Sequence, residues 1–444
     1  MRHAKEGMQM IRCGFYEKEI TPPLGTMMPG YYAVRVATGV LDKLYVKAFV
    51  TDDGQTQTAI LAFDAVELPN HFCETLAARI EKQTGILAKN VALCATHTHL
   101  GVPFDEPQGA KEDPEFTSML IRLAADCAAL AQMRLQPCEL TFATGQVEGV
   151  SFVRDMVIED GSVVSNPSSK LTLVRPYSEA DHDLPVLLAR NKNGDPMGAL
   201  ISFACHQDTI GGSQFSGDFS SELSRRLKAE YGQDFVSVFV AGACGDINHI
   251  NFMKNYRANY IDTGRKLAAE VIRAAEEEGV AVSSNNVAAA WEEVTATYRR
   301  PTDEQLAAAR KAVETGEIDK KVMLGTLAMK ILLEYDEELK DLGEQGQLPV
   351  QVMKFGDVLF FALPGEVYHA FADRIKEACP DRKCLIATIC NGDYGYIPTE
   401  EMFKTNVYPI QLCHGSRWMP ETGDLVTDMA INMGRELLAA DAAR

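Results

Sequence analysis

Residues 94–101 read Cys94-Ala-Thr-His-Thr-His-Leu-Gly101, directly after the apolar run Asn90-Val-Ala-Leu. A short apolar run that stops at two histidines reads as a buried strand with polar side chains at its carboxyl end. The chain has nine histidines in 444 residues, so a His-x-His at one strand end asks for a chemical reason. Five other runs have the same form: 58–67 (TAILAFDAVE), 198–206 (GALISFACH), 235–246 (FVSVFVAGACGD), 357–366 (DVLFFALPGE) and 384–396 (CLIATICNGDYGY). Asp64, His97, His206, Asp246, Glu366 and Asp393 stand at or just after the ends of these six runs.

Between them lie helical patterns. Residues 71–85, 220–232, 260–279 and 366–378 carry apolar positions at i, i+3 and i+4, and the first three end in glycine. The expected fold class is therefore α/β: a layered, mixed β-sheet core covered by helices, with the active site at the carboxyl ends of the strands, where open α/β sheets bind ligands. Residues 300–347 read as a polar helical excursion with Thr302 or Asp303 as N-cap. An apolar stripe in its second half, LGTLAMKILLEY, has helical spacing and is expected to pack on the core rather than to line a tunnel. The whole of 1–444 is expected to form a single catalytic domain.

Composition narrows the function. Hydrophobic content of 46% and charged content of 24% are those of an ordinary globular protein. A formal charge of −19 leaves no basic excess to neutralise phosphates, which argues against nucleic acid or an anionic membrane as the main partner. No apolar run approaches a membrane span, and the first twenty residues lack the apolar core of an export signal, so a cytoplasmic protein with no integral membrane segment is expected. The eleven cysteines contain no C-x-x-C and lie mostly in apolar runs, which reads as reduced, buried thiols.

The strand ends carry the chemistry. Two histidines at i and i+2 on extended chain point to one side. That suits two metal ligands, or one ligand and one acid–base group. His206 and Glu366 end other strands, and three or four N/O donors from separate strands make an open zinc site, which keeps a position for water. The aspartates serve equally well as turn and helix caps. H-E-x-x-H, G-x-S-x-G, the P-loop and G-x-G-x-x-G are all missing from the sequence. Cys244 in GACGD is a possible nucleophile but reads better as a buried strand residue, since the local sequence does not indicate a histidine partner for it.

Several short stretches, in order, resemble the N-terminal catalytic domain of the neutral (alkaline, non-lysosomal) ceramidases. ATHTHLG is similar to that family's THTHSGPG. The stretch 202–223 is similar to its F-A-x-H-P-T and S-G-D-N segments, and ACGDIN to its G-D turn. ALPGEVYHAFADRI is similar to its F-P-G-E junction, and NGDYGYIPTEEMFKTNVY to its Y-I-T-T-x-E-E-Y stretch. The likeness spans roughly residues 11–250 and 350–430.

The resemblance implies zinc held by His97, His206, Glu366 and Tyr396. It implies that His99 and Tyr408 contact the substrate carbonyl or the oxyanion, and that Arg154 in GVSFVRD contacts substrate. Asp218 and Asp246 match acidic positions that cap turns or helices. The implied function is hydrolysis of an acyl amide by zinc-activated water, on a small-molecule or lipid-like N-acyl substrate. An esterase or lactonase on the same site, or a non-catalytic metal-stabilised binding protein, are the alternatives. Three departures bear on the substrate rather than on the metal. The chain is expected to lack the family's C-terminal immunoglobulin-like domain, HTHLGVPFD replaces the motif's glycine-proline-glycine, and CHQDTI replaces HPT.

Overall fold

The computed structural model describes residues 10–31, 33–105, 110–318, 325–405 and 407–442. The principal strands are β1 (Arg12–Glu19), β2 (Tyr45–Asp52), β3 (Gln57–Phe63), β4 (Val91–Ala95), β5 (Gln136–Gln146), β6 (Asp183–Asn191), β7 (Pro196–Phe203), β8 (Val236–Ala241), β9 (Val287–Thr297), β10 (Gln345–Phe355), β11 (Val358–Ala362) and β12 (Cys384–Ala387). The helices are α1 (Asn70–Thr84), α2 (Pro114–Met133), α3 (Asp218–Tyr231), α4 (Tyr260–Glu277), α5 (Asp303–Thr315), α6 (Thr326–Glu338), α7 (His369–Ala378) and α8 (Thr422–Ala442). All six runs singled out from the sequence are strands (β3, β4, β7, β8, β11, β12), and all four helical patterns are helices.

β8-β7-β6-β5-β1-β2-β3-β4 form one long mixed sheet, and β9-β10-β11-β12 form a second. The long sheet is sharply folded in the middle. β1 and β5 pair only at Arg12–Cys13 against Gln136–Pro137, and β8 packs across onto β2, β3 and β4. The core thus has three walls: β1–β4, β5–β8 and β9–β12. Inward residues from all three, such as Phe49, Ile60, Leu200, Val238, Met353 and Phe360, share one apolar cluster. Burial on both strand faces explains why these runs are apolar without alternation.

Each wall carries its own helices on the outside. α1 and α2 cover β2–β4. α3 and α4 cover β6–β8. α7 and α8 cover β9–β12. The 300–347 excursion is a pair of helices, α5 and α6, that joins the antiparallel neighbours β9 and β10. Thr302 caps α5 in a reciprocal capping box with Gln305. The stripe on α6 buries Ile331, Leu332 and Tyr335, as packing spacing predicts; residues 319–324, just before it, lie outside the described part. Ten of the eleven cysteines are buried thiols and Cys413 is half-buried. No described helix is long and apolar enough to cross a membrane.

Candidate metal centre and active site

The carboxyl ends of β4, β7 and β11 meet at one end of this three-walled core. Each wall supplies one side chain: His97 follows β4, His206 follows β7 and Glu366 follows β11. His206 Nε2 lies 3.1 Å from Glu366 Oε2, and His97 Nε2 lies 3.4 Å from the same oxygen. The His97 and His206 rings are 4.5 Å apart, edge to face. His99 joins them, so that one ring nitrogen from each of His97, His99 and His206 falls within 4.8 Å of the others.

The backbone reaches this arrangement by a route the pleat does not give. β4 stops at Ala95, and His97 has a φ of 69°, in the left-handed region. A non-glycine residue there is strained and is held only by its surroundings. The His97 N–H donates to the Ala65 carbonyl (2.9 Å), and the His99 N–H donates to the Gln207 carbonyl (3.1 Å). His97 and His99 converge because of this kink, with rings 5.1 Å apart, and not through the expected i, i+2 alternation.

The tautomers are set by the backbone. His97 Nδ1 donates to the Val66 carbonyl (2.7 Å), His99 Nδ1 to Gly30 (2.9 Å) and His206 Nδ1 to Ile247 (3.1 Å). Each ring therefore turns an unprotonated Nε2 toward the cluster. Burial lowers the pKa of His99, and burial together with His97 takes His206 down to about 4, so both rings are neutral at pH 7. Among the described residues, His97 Nε2, His99 Nε2 and Glu366 Oε2 are buried without a hydrogen-bond partner. Lone pairs aimed at one another without a proton between them are costly unless a cation takes them up. This donor set, two or three imidazoles and one carboxylate, fits a transition metal of the zinc type.

The other expected site residues gather on the Glu366 side. Glu366 and Tyr396 are paired neighbours in a short parallel ladder. Arg154 is buried, its guanidinium donates to the Gly245 carbonyl, and it lies 5.0 Å over the Tyr396 ring. Burial opposes its charge, but Tyr396 and Glu366 beside it raise its pKa further. Burial also pushes the Tyr396 phenol well up, and Arg154 offsets part of that. Tyr408 stands edge-on to Tyr396, with ring centroids 5.7 Å apart.

The aspartates separate from this group. Asp64 accepts the Tyr45 N–H (2.8 Å). Asp218 accepts the Thr209 N–H and hydroxyl, which ties the loop after His206 to α3. Asp246 accepts the N–H and Nδ1–H of His369 (3.0 and 2.6 Å) at the start of α7. Asp393 binds His414 (3.0 Å). Cys244 is fully buried, and its thiol pKa is raised by that burial, which removes it as a nucleophile.

Three side chains beside the cluster were not anticipated. Tyr31 stands edge-on to His99 at 5.5 Å and donates to Asp208. Arg35 lies 4.1 Å over Tyr31 and donates to the His99 carbonyl (2.7 Å). Only the MMPGYY run near them had any signal, as part of the family likeness. His249, buried with Nδ1 unpartnered among the described residues, lies on the same side. Burial, with Arg257 beside it, lowers its pKa to about 4.

Three helix-backed sheet walls around a common core, with polar side chains at one end, define an α/β fold of the neutral ceramidase type. The neutral ceramidase from Pseudomonas aeruginosa matches with a TM-score of 0.72 and 18% identity, over 97% of this chain and 74% of that one. A ceramidase complexed with C2 matches with a TM-score of 0.73 and 16% identity, over 97% of this chain and 76% of that one. At such identity the likeness is one of fold. No protein-family model and no curated protein matches the sequence.

Proposed function

We propose that this chain is a zinc-dependent amidohydrolase that cleaves an N-acyl amide. The observation that carries the reading is the convergence of unpartnered, buried His97 Nε2, His99 Nε2 and Glu366 Oε2 with His206 Nε2 beside them. His97, His206 and Glu366 would hold the ion, with Tyr396 next to Glu366. When bound there, zinc supplies a Lewis acid for the acyl carbonyl and lowers the pKa of a water. Every wall of the core contributes one of these donors, so we treat the chain as one catalytic unit.

The remaining roles follow from exposure and donor chemistry. His97 and His206 are 3% and 5% exposed and His99 is half-buried as a residue, with its unpartnered Nε2 buried in the cluster; we assign His99 as the imidazole that meets substrate. With Nδ1–H committed to Gly30, its Nε2 accepts a proton and can pass it to the departing amine. Tyr408, edge-on to Tyr396, is the phenol that donates toward the developing oxyanion in this reading. Arg154, donating to the Gly245 carbonyl, lies over the Tyr396 ring and places a positive charge beside it. The ceramidase fold makes lipid-like N-acyl amides the first substrates to try.

The test is metal content by elemental mass spectrometry on wild type and His206→Ala, followed by hydrolysis of N-acyl amides, then esters and lactones. About one zinc per chain is expected in the wild type, lost in the variant together with amide cleavage. Absence of zinc from both after zinc addition would overturn the metal reading. Ester or lactone cleavage without amide cleavage would keep the metal and replace the substrate.

A further inference from the structure

The two large sheets touch edge to edge. β4 ends the long sheet and β12 ends the second. Just past β12 the chain runs antiparallel to β4 in an isolated bridge that sets Cys390 directly opposite Cys94. The Asn391 N–H donates to the Leu93 carbonyl (2.8 Å), and the Ala95 N–H donates to the Ile389 carbonyl (3.2 Å). These bonds flank the cysteines, which makes Cys94 and Cys390 a non-hydrogen-bonded pair. In that position opposed Cα atoms are about 4.5 Å apart and side chains come closest. A disulfide spans Cα separations of about 4.4–6.8 Å, so this backbone already suits one. The two sulfurs lie 3.3 Å apart. Closing to a bonded distance of about 2.05 Å would move each by about 0.6 Å.

The backbone around Cys390 is held in place at some cost. Ile389 and Asn391, on either side of it, have φ of 57° and 59°, in the left-handed region. A β-branched residue there persists only where its surroundings over-determine it. The Asn391 side chain accepts the Leu93 N–H (2.9 Å) and donates to Gln351 (3.0 Å), which fixes the segment against β4 and β10. Two other pairs of thiols touch, Cys13 with Cys138 and Cys379 with Cys384. Cys13 stands opposite Gln136, so Cys138 is only its diagonal neighbour, at about 7–8 Å, the limit for a bond without backbone movement. Cys379 and Cys384 flank a short turn between α7 and β12, and joining them ties no two walls.

We propose that Cys94 and Cys390 are a disulfide-forming pair, a covalent tie between the edges of the two sheets. The oxidant is a small-molecule disulfide such as glutathione disulfide. One protein thiolate attacks it, breaks its S–S bond and releases one small thiol, leaving a mixed disulfide. The second protein thiolate attacks the protein sulfur of that mixed disulfide and expels the other small thiol. The two protons lost by the cysteines end on the two released thiols. Both cysteines are fully buried in the apolar cluster shared by the three walls, so the exchange belongs to the folding chain, before the walls close. The tie would join the strand that leads to His97 to the loop whose Ile389 N–H donates to the Gly365 carbonyl (2.9 Å), beside Glu366. It requires neither a metal nor the activity proposed above.

The test produces the full chain in parallel in bacteria with a reducing and with an oxidising cytosol, so that the pair meets oxidant while it folds. Soluble protein is denatured in N-ethylmaleimide, digested without reductant and mapped by mass spectrometry. Both cysteines should carry the label in protein from the reducing cells. In protein from the oxidising cells both should lose it, and one peptide should join Cys94 to Cys390; reductant before labelling should restore both labels. The same map on reduced protein refolded from urea in glutathione disulfide gives a cell-free reading of the same outcome. Full labelling of Cys94 and Cys390 in folded protein from both oxidising routes would overturn the proposal. So would either cysteine joined to a different partner, or cross-links confined to Cys13–Cys138 and Cys379–Cys384.

Discussion

Replacing Gly30 by alanine separates a working role for His99 from a ligand role. Gly30 has a φ of 91°, and its carbonyl accepts the His99 Nδ1–H at 2.9 Å. A Cβ at position 30 would lie 2.6 Å from His99 Nδ1, 2.8 Å from Cγ and 2.9 Å from Cβ. Ordinary contacts are about 3.5–4.0 Å, so the ring or the loop must shift by roughly 1 Å. Holding alanine at positive φ adds about 1–2 kcal/mol, a cost to stability readable by urea unfolding. A displacement near 1 Å at a proton-transferring group costs turnover roughly a hundredfold. His97, His206 and Glu366 are left in place by the change, so zinc content should stay at the wild-type level. The assay is amine release from an N-acyl amide the wild type cleaves, paired with elemental mass spectrometry. Wild-type turnover in Gly30→Ala would refute the role of His99. Loss of zinc would make His99 a ligand instead.

Two further outcomes follow from neighbours of the cluster. Burial alone would strip the proton from His369, but the Asp246 carboxylate outweighs it and raises the pKa to about 9. This raised value contributes stability that is fully present below about pH 6.5 and is lost as pH rises through about 9. Urea unfolding at about pH 6 and about pH 9.5 should show a larger loss for wild type than for His369→Asn, and equal losses would dismiss the ionic pairing. Arg154→Lys keeps the charge but loses the planar fork that meets Gly245 and lies over Tyr396. Turnover should fall about tenfold or more with zinc retained, and an unchanged kcat would remove Arg154 from the site.

The six apolar runs were readable because each strand is a local pattern: β-branched, short and closed by a polar residue. The stretch 94–101 announced a strand end with two histidines, and both sit in the cluster. Glu366 was readable for the same reason. The aspartates looked alike in sequence, yet Asp64, Asp246 and Asp393 are spent on Tyr45, His369 and His414. Nothing adjacent to them in the chain distinguishes a capping aspartate from a ligand. Tyr31 and Asp208 stand 177 residues apart and meet only because loops from two walls cover His99.

The sequence by itself determined which segments are strands and helices and which polar side chains stand at their ends, because side-chain period and burial act over neighbouring residues. Only the tertiary structure decided which of those ends meet. The fold of the long sheet at the β1–β5 junction brings β4 and β7 to one end of the core, and the second sheet adds Glu366 between their histidines. The left-handed turn at His97 and the carbonyls of Val66, Gly30 and Ile247 then fix the direction of each imidazole. These are contacts between distant segments, and their geometry is set by packing that no local pattern encodes.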